Sequence, residues 1–412
     1  MKILHTADIH LGITTYGRVD PSTGLNTRLQ DFRRAFEFMV EQALAEDVDL
    51  FLFCGDAFRN PDPSPTEQTI FAECLQPLTE RGIPIVLLVG NHDHPVTFGR
   101  ASSIDIFRYL EGQARVFRRP EVATIQTKSG PLQLIALPWP VRSLLLTREE
   151  YRQKSAAAVR EVIEQLYAEY VQKAVERLDP SLPTVLAGHF SVQGAELSGS
   201  ERTSLIAHEP KFTVGQLALP PIDYVALGHI HRHQNLNPDG IPVVYSSSIE
   251  RVTFRETDDP KGFVLVEIQS DGPRKQTRYR FVETPARRFV DLNIDARNSD
   301  DPTERILSAI ARTPVADAIV RVRYQVDEDQ VARVDVRRIR EALRTAAHIA
   351  GVERTVTPVV RERRTIVERD SSLREALSRY IDQHEKLHPL REQLIEAALV
   401  LEARLEAGRL PE

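Results

Sequence analysis

The chain has 412 residues, of which 42% are hydrophobic and 27% charged, and its formal net charge is −6 at pH 7. These values are typical of a soluble globular protein with two or three domains, and no stretch approaches the roughly 20 apolar residues of a transmembrane helix. The negative charge gives no support to a generally basic nucleic-acid binder, but it does not decide the question, because bound cations and local basic patches set the field at a site.

The first part of the chain alternates apolar strands with amphipathic helices. Strands are predicted at Lys2–Ala7, Val48–Cys54 and Ile83–Val89, and helices at Leu29–Ala45 and Thr66–Arg81. This alternation predicts an α/β layer structure that starts with a mostly parallel sheet.

The middle of the chain adds further short strands and one long helix. A hairpin is predicted from Val122 to Pro138, and a helical stretch at Arg148–Leu178. The strands that follow are Thr184–Ala187, Tyr224–Leu227, Pro242–Tyr245, and an antiparallel pair of Gly262–Ile268 with Thr277–Phe281. We therefore expect residues 1–285 to form one domain with two packed sheets and outer helices.

Two smaller units are predicted after residue 285. Residues 289–360 repeat a strand–helix–strand–helix–strand pattern, which indicates a small α/β domain. A charged linker at 361–370 then leads to a helical segment, 371–412, which starts with a capping box of Ser372 and Glu375 and breaks near His388-Pro389.

The cysteine content and the N-terminus favour the cytoplasm. Cys54 and Cys74 lie in apolar surroundings and form no CxxC pair, so we expect reduced, buried thiols. The opening residues MKILHTADIHLG contain no apolar run of signal-peptide length. We expect no membrane association.

Five short polar motifs follow predicted strands. They are Asp8-Ile9-His10, Gly55-Asp56, Gly90-Asn91-His92-Asp93, Gly188-His189 and Gly228-His229-Ile230-His231. Ligands gather at the carboxyl ends of strands in open α/β sheets, and imidazole together with carboxylate suits Mn, Fe or Zn. Each motif alone is usually a turn, a loop or a helix cap. All five in this order predict a metal site.

This order of motifs resembles the signature of calcineurin-like metallophosphoesterases, which implies an αββα sandwich with a two-metal site. The implied ligands are Asp8, His10 and His231 for one ion, Asn91, His189 and His229 for the other, and Asp56 as the bridge. Two such ions can activate a water and stabilise an in-line displacement at a phosphoester. The resemblance also implies that His92 is the general acid, with Asp93 orienting its ring.

The sequence around the motifs, over residues 1–255, resembles one subgroup of this family, the SbcD nucleases. The segments that carry this resemblance are His5–Gly12, Asn26–Phe32, Gly55–Phe58 and Pro63–Pro65. The phosphatase pattern G-D-x-x-D-R-G is absent. Arg59 stands where many relatives have a histidine, and it is either a contact to a DNA phosphate or a solvated loop residue. This departure leaves open the balance between exonuclease and endonuclease activity.

The resemblance implies a DNA nuclease that uses two Mn²⁺ ions, with Mg²⁺, Fe²⁺ or Zn²⁺ as other options. It would be a 3′→5′ exonuclease on duplex ends and an endonuclease on single strands or hairpins, acting in double-strand-break repair in the cytoplasm at the nucleoid. Residues 289–360 would be a DNA-capping domain. Its Arg321 and Arg323 share one strand face and would hold phosphates, or form a solvated face balanced by nearby acids.

The resemblance also implies protein partners. Segment 371–412 would bind the coiled coil of an SbcC-type ABC ATPase through the stripe Leu390, Leu394, Ala397, Leu401 and Leu405, or else pack on its own cap domain. A homodimer is expected through helices near Arg100–Leu110 and Tyr151–Ala168.

Two other functions remain open. The first is a cyclic-nucleotide or other small phosphodiesterase that uses the same site. Such an enzyme would not need the additional domain formed by the roughly 125 residues after Pro285. The second is a DNA-end tether and ATPase scaffold in which cleavage is secondary.

Overall fold

The computed structural model describes residues 1–95, 100–109, 114–140, 154–199, 201, 209–271, 274–357 and 372–406. The expected linker at 361–370 lies outside these ranges, as do the start of the helical stretch predicted at Arg148–Leu178 and the end of segment 371–412.

The strands and helices largely follow the predicted order. The strands are β1 Lys2–Thr6, β2 Leu50–Phe53, β3 Ile85–Leu88, β4 Ala114–Phe117, β5 Glu121–Thr127, β6 Gly130–Leu137, β7 Thr184–His189, β8 Ser191–Val192, β9 Lys211–Phe212, β10 Tyr224–Gly228, β11 Gln234–Asn235, β12 Val243–Tyr245, β13 Gly262–Asp271, β14 Arg274–Glu283, β15 Phe289–Asp295, β16 Ile319–Asp327 and β17 His348–Thr357. The helices are α1 Thr27–Ala45, α2 Pro65–Glu80, α3 Ala156–Val175, α4 Val214–Leu217, α5 Pro302–Ala311, α6 Val336–Ala342, α7 Leu373–Asp382 and α8 Arg391–Glu406.

Two six-stranded sheets form the main body. The first has the order β14-β13-β1-β2-β3-β4, and the second β11-β12-β10-β7-β6-β5. Strands β1 to β4 are parallel to one another, as are β6, β7, β10 and β12, whereas β13 runs antiparallel to β1. The predicted α/β sandwich of two sheets is therefore confirmed.

The central strands are apolar on both faces because both faces are covered. In β2, Leu50 and Leu52 point into the core between the two sheets, while Phe51 and Phe53 pack under α1 and α2. Val171 of α3 belongs to a third core on the outer face of the second sheet. The layers are thus helix, sheet, sheet, helix. The loops that carry the five polar motifs follow the central strands of the two sheets.

A third sheet, β15-β16-β17, is parallel and has its own core. Helices α5 and α6 cover one of its faces through Ile306, Ile310 and Ile339. Tyr16 and Phe254 of the main body contact Phe289 at the start of β15, with ring centroids 5.8 and 4.9 Å apart.

The C-terminal helices α7 and α8 pack against each other. The capping box of Ser372 and Glu375 is present, and a 3₁₀ turn that contains Pro389 separates the two helices as expected. Ile381 and Ile395 are buried, whereas the predicted stripe is exposed at Leu390, Leu394, Leu401 and Leu405. Among the described helices, none is long and apolar enough to cross a bilayer.

Some boundaries differ from the sequence-based expectation. The helix expected near Arg100–Leu110 is a 3₁₀ turn, Asp105–Tyr109, in its described part. The hairpin of β13 and β14 has ten residues in each strand and is longer than predicted, because its polar end, which has no apolar alternation, still pairs.

A buried ionic network joins α1 to the chain that leads into the third sheet. Arg28 is 1% exposed, and its guanidinium lies 2.8 Å from Asp31 and 3.6 Å from Glu250. Arg287 forms salt bridges with both Asp31 and Asp317, and Asp317 lies just before β16 of the third sheet. Because the carboxylates of Asp31 and Glu250 are buried, they depend on these arginines.

We predict that Arg28→Met lowers the free energy of unfolding by about 3–5 kcal/mol, because it leaves buried carboxylates with too little positive charge. Arg33→Met on the same helix is the matched control: Arg33 is half-exposed and pairs with Glu37 and Glu73 at the surface, so its loss should be below about 1 kcal/mol. Urea unfolding followed by circular dichroism measures both. Equal losses would contradict a special role for Arg28.

Candidate metal centre

The polar loops meet at one edge of the sandwich. Backbone hydrogen bonds tie the first two loops together: the N–H of Asp8 donates to the carbonyl of Gly55 (2.9 Å), and the N–H of His10 to that of Asp56 (3.1 Å). The N–H of His229 donates to the Asp8 carboxylate at 2.9 Å, which joins the two sheets. The side chains brought together are Asp8, His10, Asp56, Asn91, His92, His189, His229 and His231.

One cluster contains Asp8, His10 and His231. The Nε2 atoms of the two histidines lie 3.0 Å apart. The Oδ1 atom of Asp8 lies 4.0 Å from Nε2 of His10 and 3.8 Å from Nε2 of His231. Three buried donor atoms therefore converge on one point, which suits a single cation.

A second cluster contains Asn91, His189 and His229. The Oδ1 atom of Asn91 lies 2.9 Å from Nε2 of His189 and 3.1 Å from Nδ1 of His229. Asp56 lies between the clusters, since its Oδ2 is 3.4 Å from Nε2 of His189 and 3.7 Å from Nε2 of His10. The mixed nitrogen and oxygen donors fit two divalent transition-metal ions that share one carboxylate.

The backbone is strained at these positions. Four of the clustered residues are not glycine and yet have left-handed φ angles: Asp8 (56°), His10 (51°), Asp56 (62°) and His229 (93°). Such conformations cost about 1–3 kcal/mol each and concentrate at functional sites. Gly90 permits a close approach, because a Cβ atom there would lie 2.1 Å from Oδ1 of Asp56.

Opposite charges dominate the electrostatics. Burial opposes ionisation of Asp56, yet the charges of His189, His92 and His10 hold the pKa of its carboxyl well below its usual range. Burial also disfavours a charged His189, but the Asp56 carboxylate outweighs it and raises the pKa of the ring to about 9. For His231, burial is outweighed by Glu256, Asp8 and Glu201, and its pKa is likewise raised to about 9.

Carboxylates that the sequence did not reveal lie behind the histidines. Glu209 accepts a hydrogen bond from Nε2 of His229 (2.8 Å), and Glu256 lies 3.4 Å from Nδ1 of His231. Glu201 accepts the backbone N–H of His231 at 2.8 Å. All three lie in irregular segments or a 3₁₀ turn, where no periodicity marks a residue as facing a site.

His92 stands beside the first cluster, half-buried, with its ring 4.8 Å from that of His10 and perpendicular to it. Its backbone N–H donates to Oδ1 of Asp56, and its Nδ1 donates to the carbonyl of Arg59 at 2.8 Å. That contact leaves Nε2 available for proton transfer.

The expected role of Asp93 needs correction. Its buried carboxylate accepts hydrogen bonds from the backbone N–H groups of Asp56, Ala57 and Gly90 at 2.8–3.0 Å. Asp93 therefore holds the loop that carries Asp56, and the carbonyl of Arg59, rather than Asp93, orients the His92 ring.

The three predicted DNA-binding arginines differ in their surroundings. Arg59 is exposed, and no described carboxylate forms a salt bridge with it. Arg321 and Arg323 both pair with Asp291, at 2.7 and 2.6 Å, and Arg321 also lies over the ring of Phe254 (4.3 Å). One carboxylate therefore engages both guanidinium groups, and the contact of these arginines with DNA phosphates stays a prediction.

Comparisons with known proteins place this site in context. The family model described as Calcineurin-like phosphoesterase matches residues 1–233. The SbcD chain of the nuclease SbcCD from Escherichia coli (strain K12) is 28% identical over 57% of this chain, and its counterpart in Bacillus subtilis (strain 168) is 29% identical over 65%. "DNA double-strand break repair protein Mre11" of Archaeoglobus fulgidus is 26% identical over 83%.

These matches cover 57%, 66% and 71% of the respective relatives, so the chain spans little more than half the length of the Escherichia coli protein. They confirm the resemblance to the SbcD nucleases that the motifs indicated.

We predict opposite pH trends for stability and metal affinity between pH 6.5 and 9. His189 and His231 have a pKa of about 9 in the folded, metal-free protein, against 6.5 when unfolded. Their raised pKa stabilises the metal-free fold fully below pH 6.5, and this contribution is lost as the pH rises to 9. A metal must displace these protons, so its affinity should rise by about tenfold per pH unit for each proton displaced.

Thermal unfolding of metal-free protein and calorimetric titration of the metal across this window measure the two trends. Proton release on binding, obtained by repeating the titration in buffers of different ionisation enthalpy, is the internal control. A metal affinity that does not change with pH would contradict the prediction.

Proposed function

The chain belongs to the calcineurin-like phosphoesterase family, and from that premise we propose that it is the nuclease component of a DNA double-strand-break repair complex. The observation that carries the proposal is the pair of clusters that flank Asp56, with His92 in reach of His10 and Asp56. The names of the relatives, which describe a nuclease and a double-strand break repair protein, favour DNA as the substrate.

In this proposal, Asp8, His10 and His231 would hold one ion, Asn91, His189 and His229 would hold the other, and Asp56 would serve both. Two bound divalent ions supply positive charge for the phosphate oxygens and acidity for the attacking water. Manganese suits the mixed imidazole, amide and carboxylate donors, although Mg²⁺, Fe²⁺ and Zn²⁺ are the other options. Glycine at position 90 lets the bridging carboxylate approach the Asn91 loop.

His92 gives its proton from Nε2 to the leaving oxygen of the phosphodiester. The carbonyl of Arg59 holds Nδ1–H, so the ring keeps a fixed orientation while the proton moves. The Arg59 side chain, exposed at the same loop, contacts a neighbouring phosphate. Arg321, Arg323 and Asp291 together carry one net positive charge, so they contribute weaker attraction to the DNA backbone.

We propose 3′→5′ exonuclease activity on duplex ends and endonuclease activity on single strands or hairpins, at the nucleoid in the cytoplasm. Residues 1–285 would form the nuclease domain and 289–360 the DNA-capping domain. The contacts of Tyr16 and Arg287 with the third sheet support a cap held at a defined position over the site.

Segment 371–412 is proposed to bind an SbcC-type coiled-coil ATPase. The exposed leucines of α8 support this, because a row of apolar side chains on a helix suits a second helix. Ile395 on another face of the helix is buried, so the exposed stripe is not needed for the contact between α7 and α8. A homodimer through 100–110 and 151–168 is also proposed.

A small phosphodiesterase remains the alternative enzyme, and a DNA-end tether with secondary cleavage the alternative binding function. The third sheet and the C-terminal helices disfavour the former, because a minimal small-molecule enzyme does not need them. Turnover of duplex DNA compared with that of a cyclic nucleotide separates the two enzymes. If Asp56→Asn protein, which lacks the shared carboxylate, still supported DNA repair in cells, that result would favour the tether function.

We predict that His92→Ala lowers the rate of DNA cleavage by about 10²–10⁴-fold, the usual contribution of a general acid. Both ions should still bind, because neither proposed set of ligands includes His92. Nitrophenolate leaves without a proton, so the same variant should lose much less activity on bis-p-nitrophenyl phosphate. Equal losses on both substrates, or undiminished DNA cleavage, would refute the general-acid role.

We predict that truncation after residue 370 abolishes co-purification with a coiled-coil ABC-type ATPase, while Mn²⁺-dependent cleavage by the isolated protein persists. The double variant Leu394→Asp, Leu401→Asp should have the same effect, because it places charge on the exposed stripe. Glu396→Gln, exposed on the same helix, is the matched control. ATPase binding that survives truncation would remove this role from the segment.

A further inference from the structure

The two histidines of the Gly228–His231 motif use opposite ring nitrogens. His229 turns Nδ1 toward Oδ1 of Asn91 (3.1 Å), while its Nε2 contacts Glu209 (2.8 Å). His231 turns Nε2 toward Nε2 of His10 (3.0 Å), while its Nδ1 faces Glu256 (3.4 Å). Each ring therefore has one nitrogen in a ligand cluster and the other on a carboxylate.

We propose that Glu209 and Glu256 are positioning residues that fix which nitrogen His229 and His231 offer to a metal, and that Glu209 has the stronger effect. This inference rests on the proposed two-metal function and deepens it. A carboxylate can only accept, so in the neutral ring that a metal requires it keeps the N–H on the nitrogen that faces it and leaves the lone pair of the opposite nitrogen directed into the cluster.

The environments of the two carboxylates set their relative effect. Glu256 lies 3.3 Å from Nζ of Lys261, with both side chains fully buried, and it also accepts the backbone N–H of Val252 (2.7 Å). Its negative charge is thus largely compensated before it reaches His231. Breaking this pair also leaves a buried cation, so variants of Glu256 disturb the fold as well as the ring.

Glu209 makes fewer other contacts. In the part of the chain that the structure describes, His229 is its salt-bridge partner, and the hydroxyl of Ser191 lies 3.5 Å from the same oxygen. Trp139 packs against the His229 ring, with centroids 5.2 Å apart. Because Glu209 is mostly buried and makes few other contacts among the described residues, it can hold the orientation of the His229 ring.

A purely structural role for Glu209 must be distinguished, since it lies two residues before β9 and touches Ser191 of β8. A residue that only joins these two strands would change stability and leave metal affinity unaltered. A positioning residue would change the affinity of one metal subsite and leave the metal-free fold unaltered.

The test titrates Mn²⁺ into metal-free full-length protein by calorimetry and measures thermal unfolding without metal. Wild type should bind two ions. Glu209→Ala should weaken one of them by about 10- to 100-fold, the usual effect of losing an outer partner of a ligand, while the second ion and the metal-free Tm stay unchanged. Glu209→Gln keeps an acceptor oxygen but no charge, so its loss should be smaller.

The matched control is Glu196→Gln, an exposed glutamate that pairs with Arg232 at the surface and should leave both affinities unchanged. In ¹⁵N NMR of Zn²⁺-loaded protein, the His229 signals should show a single tautomer with the proton on Nε2 in wild type. In Glu209→Ala they should show both tautomers.

Wild-type affinity for both ions in Glu209→Ala would overturn the inference, as would a lower metal-free Tm with no change in metal affinity. A wild-type protein that binds fewer than two ions would instead refute the two-metal function, and this inference with it. Two ions in wild type together with an unaltered Glu209→Ala variant would leave the proposed function intact and refute only the role of Glu209.

Discussion

A buried carboxylate at the meeting point of the two sheets constrains the rest of the molecule. Asp56 is 1% exposed, so water cannot solvate its charge, and an isolated buried charge of this kind is too costly to persist. The sandwich brings His10 from one sheet and His189 from the other within 4 Å of it. Asp93 fixes its loop by accepting three backbone N–H groups. The arrangement of loops follows from the need to compensate this one charge.

The scaffold must also hold the candidate ligand residues in backbone conformations that are unfavourable for residues other than glycine. Asp8, His10, Asp56 and His229 all occupy the left-handed region, at a total cost of several kcal/mol. Strands with both faces buried supply the rigidity that this needs. The candidate donors are therefore directed at the clusters by the protein fold itself.

Hydrophobic periodicity and the order of the motifs predicted the strands and the polar loops that follow them. The apolar strands located the loop ends, and the loop ends located the clustered side chains from Asp8 to His231. Contacts that depend on tertiary register left no such trace. Asp291 meets Arg321 only because β15 and β16 pair in parallel with those residues opposite. The partners of Asp93 are backbone N–H groups, which have no residue identity, and Glu209 lies outside any periodic element. The 3₁₀ turn at Asp105–Tyr109 is too short for helical periodicity to distinguish it from a helix.

The separation of the clustered residues along the chain sets an order of events during synthesis. Asp8 and His229 are 221 residues apart, and their hydrogen bond joins the first strand of one sheet to a late strand of the other. Neither ligand cluster can be completed until the ribosome has released this late part of the chain and the second sheet has closed on the first. A protein shortened before residue 231 would hold only part of the site. Under the proposed ligand assignment, metal loading must follow nearly complete synthesis of the main body, and an unfinished chain cannot carry an assembled centre.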